Sequence, residues 1–485
     1  MTTAPIPWLP GLAALALSAG CGGGAGRNPA PLSSGDVNLV FVVSQDLAFQ
    51  APGDVDPGTA NLSPQGLQRS LLLGTFLRDQ VLGGNDVNRI YAVAPTTHLQ
   101  TAQQLPDLVP LETIEPFAVL NHTTLSSDLA GGSPFTGQNS PIRASYAQGS
   151  VPPGVAVPAQ YCPTCAGLDF ADQGGVNEAL VAEILAAGAP GTYVLSAPWE
   201  TVRALLASVA GAGGRALPVP AAYAGPDRVY ALSRSPSGAV ALATYDAHLS
   251  PAATYPVLPA PVARGTCTPP TPSTLTVRAG VGGAVVPAAA NRGETVYIVR
   301  HAEAHPQGYW SDNNYVGAGQ WRALDLPDAL RGKVTPDQVW SQDPATFSRG
   351  TVSGVGEQYW SSVAPALTVA PYAIANGLAL HLASSLDLTS PDLPRASSDF
   401  FFTGGRFSGH DLLLGWTFTQ VPQMIAALVA SYFPGGGAPQ VPAWPPTDYD
   451  SLWIVTLDAS GDLTLDFSQC EGIDSAALPS TAPRF

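Results

Sequence analysis

The stretch "VYIVRHAEAH", residues 296–305, runs from an apolar segment straight into a cluster of charge. Its first four residues predict a buried strand, because they are β-branched, aromatic or aliphatic. Arg300, His301, Glu303 and His305 follow at once. Charged side chains are seldom buried without partners, so this pattern indicates a strand tip that binds something.

A weak internal repeat places this stretch in a larger pattern. Five segments recur in the same order in the two halves of the chain: "VFVVSQ" (40–45) with "VYIVRH" (296–301), "GLQRSLLLGTFL" (66–77) with "GQWRALDLPDAL" (319–330), "IYAVAP" (90–95) with "VWSQDP" (339–344), "PLETIEP" (110–116) with "PALTVAP" (365–371), and "DRVYALSRSPSG" (227–238) with "DSLWIVTLDASG" (450–461). Strand-like runs alternate with helical patterns in each half, which predicts βαβ units around a mostly parallel sheet. Such sheets bind ligands at the carboxyl ends of their strands.

Length and composition predict two α/β domains in tandem. The chain has 485 residues, of which 45% are hydrophobic and 12% charged, so it can build more than one core. We predict domains at 37–250 and 294–485, joined by a Pro- and Gly-rich linker, 251–293. The net charge of −16 argues against nucleic acid as a partner. A small phosphorylated molecule would need a locally basic pocket.

The N-terminus predicts export. An apolar run at residues 9–19 is too short to span a membrane and ends in small residues before Cys21, which is typical of a signal peptide, residues 1–21. The cysteine in this place resembles a bacterial lipobox, whose thiol is lipidated. Residues 22–36 would then form a tether, and a lipid on Cys21 would be the only membrane contact. The alternatives are a soluble secreted protein or a misassigned start codon.

The other cysteines predict disulfides rather than a metal site, because an even number in an exported chain favours oxidation. They are Cys162, Cys165, Cys267 and Cys470. The "CPTC" motif lies in a Pro- and Gly-rich stretch with no helical pattern after it, so a local clip is favoured over a redox role. The connectivity stays open at this point.

The second half resembles the histidine phosphatase superfamily, which has the phosphoglycerate mutase-like fold. Its hallmark is an apolar strand followed by Arg-His-Gly-Glu, with Ala in place of Gly in some members, and the chain has "RHAE" at 300–303. "GQWRALDLPDAL", "QVWSQDP", "SSVAPALTVAPYAIANGL" and "WPPTDYDSLWIVTLD" look like successive later segments of one bacterial subgroup. The resemblance covers most of 294–467 and, more faintly, 37–250. It implies two tandem phosphoglycerate mutase-like domains, each a mostly parallel sheet flanked by helices.

The resemblance also implies a chemistry, phosphomonoester hydrolysis without a cofactor. His301 matches the histidine that attacks phosphorus, Arg300 the phosphate-binding arginine and Glu303 the glutamate of the motif. A neutral imidazole can form a phosphohistidine, while arginines neutralise the phosphoryl oxygens. The family's second arginine and second histidine are replaced by Ala364 and Phe418. Half of the phosphate cradle is therefore apolar.

The first half departs further from the family pattern. Ser44 and Gln45 stand where Arg and His belong, Val109 replaces the second arginine, and "LSAPWE" offers no histidine. We therefore interpret residues 37–250 as a degenerate copy. The whole protein is then either an exported phosphatase acting through His301 or a non-catalytic binding or envelope protein on the same fold.

The remaining candidates are weaker. Arg349, Arg406 or His410 could replace the missing cations, but the latter two precede the strand that should carry the second histidine, at its amino end. A zinc site of His301, Glu303 and His305 is a third hypothesis, since alternate residues of an extended chain share a face. Four further histidines show no acid or base partner in their sequence context and are expected to be structural or exposed: His98, His122, His248 and His381.

Overall fold

The computed structural model describes residues 27–126, 134–158, 161, 165–212, 217–305, 312–352, 356–384 and 393–485. The predicted signal peptide with Cys21, and also Cys162, lie outside the described residues. Part of the predicted tether is bound to the protein body, since Asn28 Nδ2 donates to the Asp246 carbonyl oxygen at 2.8 Å. No helix in the described ranges has the length and apolar character needed to cross a membrane.

The first half contains ten strands and four α-helices in its described parts. They are β1 (Val37–Val43), α1 (Pro64–Phe76), β2 (Arg89–Ala92), β3 (Leu99–Gln100), β4 (Leu105–Pro106), α2 (Val109–Ala118), β5 (His122–Ser126), β6 (Pro134–Gln138), β7 (Ile142–Arg143), α3 (Val176–Ala187), β8 (Gly191–Ala197), α4 (Trp199–Ala212), β9 (Arg228–Arg234) and β10 (Val240–Asp246). Six of the strands form one sheet in the order β10-β9-β1-β8-β2-β7. The four from β1 to β7 in that order are parallel, and β9 and β10 form an antiparallel hairpin at one side.

The second half repeats this arrangement. Its described elements are β11 (Thr274–Val277), β12 (Glu294–Arg300), α5 (Gly317–Ala329), β13 (Gln338–Ser341), β14 (Phe347–Val352), β15 (Gly356–Ser361), α6 (Ala364–Asn376), β16 (Leu380–Leu382), α7 (Leu393–Phe402), β17 (Asp411–Trp416), α8 (Val421–Ser431), β18 (Ser451–Leu457) and β19 (Leu463–Cys470). The sheet order is β11-β19-β18-β12-β17-β13-β16. Apart from β11, a strand from the predicted linker that pairs with β19, each position matches its counterpart in the first sheet.

The packing explains why both halves carry amphipathic helices. Apolar side chains of α3 and α4 cover one face of the first sheet, and those of α7 and α8 cover one face of the second. The other two faces meet through the pairs α1–α2 and α5–α6, which share apolar clusters between the sheets. The protein is thus mixed α/β with sheets flanked by helices, which confirms the predicted fold class at that level.

One disulfide joins the segment before β11 to the end of β19. The sulfur atoms of Cys267 and Cys470 are 2.00 Å apart, so this pairing, left open by the sequence, is present. Cys165 is also disulfide-bonded. The bond at Cys470 fixes the strand that follows β18, close to the buried charges described below.

Candidate functional site

The carboxyl ends of three parallel strands meet at one edge of the second sheet. The strands are β12, β17 and β13, which are neighbours in that order. The edge therefore collects Arg300 and His301 from β12, Thr417 and Phe418 from β17, and Gln342 from β13. The rings of His301 and Phe418 are 5.9 Å apart, and the Thr417 hydroxyl donates to Gln342 Oε1 at 2.8 Å. The topology thus brings Arg300 and His301 close to Phe418, the position for which the sequence comparison predicts a replaced histidine.

Arg300 is held by the protein itself. Its side chain is almost fully buried, with the guanidinium carbon 4.0 Å from the ring centre of Phe418 and 3.8 Å from that of Tyr449. Nη1 donates to the carbonyl oxygens of Pro446 and Asp448, each at 2.9 Å. Burial lowers the pKa of Arg300 to about 10, so the group is still a cation at neutral pH. Its charge is stabilised by two aromatic faces and two carbonyls.

His301 is a neutral imidazole at physiological pH. Burial and the neighbouring charge of Arg300 lower its pKa to about 3, against a small opposing effect of the Ala302 carbonyl. Nδ1 lies 2.9 Å from that carbonyl oxygen, which assigns the ring proton to Nδ1 because a carbonyl can only accept. Nε2 therefore carries the lone pair. This is the protonation state that a nucleophilic histidine requires.

Glu303 is engaged in a buried ion pair. Both of its carboxylate oxygens accept from Arg322 Nε at 2.9 Å, and Oε1 also accepts from Nη2 at 2.8 Å. The same guanidinium binds Glu471 Oε2 at 2.5 Å and the Ser475 hydroxyl at 2.7 Å. Arg322 is the arginine at the fourth position of the repeated helical segment, on α5. A carboxylate fixed in this way by arginine is poorly placed to protonate a leaving group.

The replaced positions are apolar in space as well as in sequence. Ala364 is the first residue of α6 and is 1% exposed, and Phe418 is 8% exposed. The alternative cations lie elsewhere. Arg406 stacks on Trp340 at 4.9 Å. His410 Nδ1 lies 2.9 Å from Asp337 Oδ2 and immediately precedes β17, at the opposite edge of the sheet.

Arg349 lies in β14, and its side chain is outside the described part of the structure. The zinc hypothesis for "HAEAH" is not supported by the geometry. Glu303 is bound to Arg322, and His305 Nδ1 is 3.6 Å from Asp312 Oδ1, both buried. The three candidate ligands therefore have separate partners.

The corresponding edge of the first sheet holds a cluster that the sequence did not reveal. His98 Nδ1 is 2.8 Å from Asp107 Oδ2 and 3.6 Å from Asp46 Oδ2, and its ring stacks on Phe170 at 3.6 Å. Burial alone lowers the pKa of His98, but the hydrogen bond and charge of Asp107, with Asp46, raise it above its ordinary value. The expectation that His98 has no acid partner is wrong, because Asp107 lies opposite it across the β3–β4 hairpin and Asp46 approaches from the end of β1.

Within the described residues, Asp46, His98 and Asp107 form the one group of three metal-ligand types within 4.8 Å of one another. A protonated His98 neutralises part of the carboxylate charge, so this arrangement is accounted for by the ion pairs alone. The other three histidines are exposed or packed against an aromatic ring. His122 and His248 are at least half exposed, with aspartate oxygens at 3.9 and 3.3 Å, and His381 stacks on Trp340 at 4.8 Å.

Comparisons with known proteins give the following similarities. No family model matches the sequence, and no curated protein matches it. Among solved structures, a mycobacterial glucosyl-3-phosphoglycerate phosphatase is 13% identical, with a TM-score of 0.21, over 36% of this chain and 98% of its own. A candidate phosphohistidine phosphatase of Agrobacterium tumefaciens is 16% identical, with a TM-score of 0.20, over 36% of this chain and 95% of its own.

Proposed function

We propose that this chain is an exported binding protein of the cell envelope, built from two histidine-phosphatase-like units, in which the site at His301 does not turn over phosphate esters. The observation that carries the proposal is the environment of Arg300. Its guanidinium lies between Phe418 and Tyr449 and donates to backbone carbonyls. An arginine in this position stabilises the strand tip instead of neutralising a phosphoryl group.

The loss of the other donors supports the same conclusion. Ala364 and Phe418 supply no hydrogen bond to an oxyanion, and Glu303 is paired with Arg322. Each charge-assisted bond to a phosphoryl group is worth roughly 1.5–3 kcal/mol. The absence of an arginine and a histidine thus lowers the rate by about three to four orders of magnitude, at about 1.4 kcal/mol per tenfold.

The proposal of tandem copies rests on the matching sheets. Counted along the chain, the six corresponding strands of each half have the same spatial order. The repeated helical arginine also has a matched role, since Arg69 pairs with Asp54 and Asp227, and Arg322 lies 3.9 Å from Asp450, the residue aligned with Asp227. Such agreement in both topology and buried charge favours a duplicated unit over two unrelated domains.

We expect no phosphatase activity at His301. The test compares the wild-type protein with His301→Ala in the hydrolysis of an aryl phosphate and a panel of phosphate esters, with His248→Ala as a control for an exposed histidine. The expected result is the same background rate in all three proteins. A repeat with a chelator separates metal-dependent hydrolysis, which would vanish in every protein, from chemistry at His301.

A second candidate, slow phosphomonoester hydrolysis, is favoured by the state of His301. The imidazole is neutral and its Nδ1 is bonded to the Ala302 carbonyl, which leaves the Nε2 lone pair for attack. Turnover that survives chelation and disappears in His301→Ala would establish this candidate and refute the non-catalytic one.

Export is the part of the proposal that the disulfides support. Cys267–Cys470 and the oxidised Cys165 fit an oxidising compartment, since such bonds are rare in cytosolic proteins. We expect the mature protein to begin at Cys21 and to carry a lipid there. Mass spectrometry of the N-terminal peptide measures this directly, and Cys21→Ser should release the protein from the membrane fraction. An unmodified Cys21 in a protein that keeps residues 1–20 would contradict the prediction.

A further inference from the structure

A second polar site lies on the face of the first sheet that α3 covers. Arg89 and Tyr91 are alternate residues of β2, so their side chains point to the same face. The register pairs Arg89 with Tyr193 on β8, and Tyr91 with Arg143 on β7. Registered residues of parallel neighbours lie side by side, about 4.8 Å apart. Two arginines and two tyrosines therefore form a compact block, which we call the Arg89 cluster.

The Arg89 cluster forms the floor of a cavity of about 460 Å³. This volume is in the range of small-molecule sites, roughly 300–1,000 Å³. Helix α3 supplies the opposite wall, with apolar side chains that include Leu180 and Ile184, and one carboxylate, Glu183, which is exposed. The cavity thus joins a cationic floor to an apolar wall.

The Arg89 cluster concentrates positive charge in an acidic protein. Burial and the neighbouring positive charge of Arg89 together lower the pKa of Arg143 to about 10. The chain has only 20 basic residues against 36 acidic ones, yet two arginines lie at this cavity. Arg89 is exposed. Among the described residues its side chain makes no hydrogen bond or ion pair, and the hydroxyls of Tyr91 and Tyr193 make no hydrogen bond. These three side chains can therefore donate to a ligand in the cavity.

We propose that this cavity binds a small organic oxyanion, such as a phosphate ester or a carboxylate. The Arg89 guanidinium holds the oxyanion, with the positive charge of Arg143 nearby, the hydroxyls of Tyr91 and Tyr193 donate to its oxygens, and the apolar part of the ligand packs against Leu180 and Ile184. Arginine forks match the oxygens of phosphate and carboxylate groups. The proposal does not rest on the chemistry at His301, because Arg89 begins its strand and lies at the edge opposite to the strand tips.

The test is calorimetric titration of the whole mature protein with phenyl phosphate, benzoate and inorganic phosphate. We expect phenyl phosphate or benzoate to bind more tightly than inorganic phosphate, since the apolar wall contributes only to the former two. Arg89→Gln should weaken binding at least about tenfold, because a charge-assisted fork is lost, and Tyr193→Phe should weaken it by a smaller factor. Higher salt should weaken binding by wild-type protein.

Two controls keep the result specific. Arg331→Gln removes an exposed arginine far along the chain and should leave binding unchanged, and thermal melting checks that each variant is folded. If Arg89→Gln fails to fold, Tyr193→Phe decides alone, because it removes a single hydroxyl. The proposal is overturned if the wild-type protein binds none of the three anions, or if Arg89→Gln and Tyr193→Phe bind them as wild type does. Neither result would change the outcome expected in the phosphatase assay of His301→Ala.

Discussion

Replacing Arg322 with alanine should lower the free energy of unfolding by about 3–5 kcal/mol, which is typical when one partner of a buried ion pair is removed. Arg322 is fully buried and binds Glu303 and Glu471. Burial alone lowers the pKa of Arg322, but the two carboxylates reverse this and raise it above its ordinary value. Without the guanidinium, two carboxylates remain in the protein interior with no cation between them.

The measurement is denaturant unfolding followed by tryptophan fluorescence. Arg331→Ala is the matched control, since its pair with Asp328 is exposed and should contribute less than about 1 kcal/mol. Adding Glu471→Gln to Arg322→Ala should restore part of the stability, because one uncompensated charge is then gone. If Arg322→Ala lowers the free energy of unfolding by less than Arg331→Ala does, Arg322 does not stabilise the two buried carboxylates.

Arg69→Ala extends the same expectation to the first half. Arg69 binds the buried Asp54 at 2.9 Å and Asp227 at 2.5 Å, and the segments around Arg69 and Arg322 are one of the repeated pairs. The repeat made the fourth-position arginine visible in the sequence. Its role was not visible, because the acidic partners lie in segments that the chain brings together only on folding.

Local hydrophobic patterns in the sequence were sufficient to predict the main strands of the two sheets. β1, β2 and β8, and their counterparts β12, β13 and β17, are apolar runs followed by amphipathic helices, and hydrophobic periodicity is a local property. Strands of two or three residues, such as β7 and β16, have too little pattern to be recognised. The same holds for the edge strand β11, which lies in a segment whose Pro and Gly content predicts a linker.

The sequence predicts that Arg300, His301 and Phe418 lie close together, but not the contacts that Arg300 makes. Arg300, His301 and Phe418 do meet at the strand tips, because the carboxyl ends of parallel strands share an edge. The role of Arg300 depends on Tyr449 and on the carbonyls of Pro446 and Asp448, which belong to the segment before β18. The segment "WPPTDY" (444–449), rich in proline and aromatic residues, was a sequence signal of such packing. A family motif, taken alone, assigned Arg300 to phosphate.

The contacts of His98 show more clearly what the sequence could not predict. Asp107 lies opposite His98 at the end of the β3–β4 hairpin, where its amide donates to the His98 carbonyl oxygen at 3.0 Å, whereas Asp46 follows β1, far from His98 in the sequence. The approach of Asp107 is set by this short hairpin, and that of Asp46 by the order of the strands in the sheet. The contact with Asp46 therefore follows from tertiary structure, and the two-residue strands of the hairpin are too short for a sequence pattern to predict the contact with Asp107.

The stability of this protein should fall as the pH rises from 5 to 8, and Glu112 should account for roughly 3 kcal/mol of the change. Glu112 lies on α2 among the helices between the two sheets and is 4% exposed. Oε2 accepts from the Leu62 backbone amide at 3.0 Å, while the buried Oε1 has no hydrogen-bond partner among the described residues. Burial raises its pKa to about 8.

The sign follows from comparing the two states. In the unfolded chain the carboxyl has its ordinary pKa of 4.5, so between about pH 4.5 and 8 the folded protein retains a proton that the unfolded chain has released. Unfolding then releases a proton and is favoured by raising the pH. The stability linked to this group is complete below pH 4.5 and is lost as the pH approaches 8. The buried Glu294, whose pKa is also raised to about 8, acts in the same direction.

Glu112→Gln isolates the contribution of one group, because the amide keeps the shape and an acceptor for Leu62 but has no proton to lose. Near pH 5 we expect the free energy of unfolding of the variant to lie within about 1 kcal/mol of the wild-type value. Near pH 8 it should exceed the wild-type value by roughly 3 kcal/mol. The pH dependence that remains in the variant is due to the other buried acids. Glu178→Gln, an exposed position on α3, is the matched control and should keep the wild-type slope. Unfolding curves at several pH values supply the comparison. An identical slope in Glu112→Gln and wild type would mean that Glu112 is ionised in the folded protein, and that its second oxygen is solvated between the helix pairs.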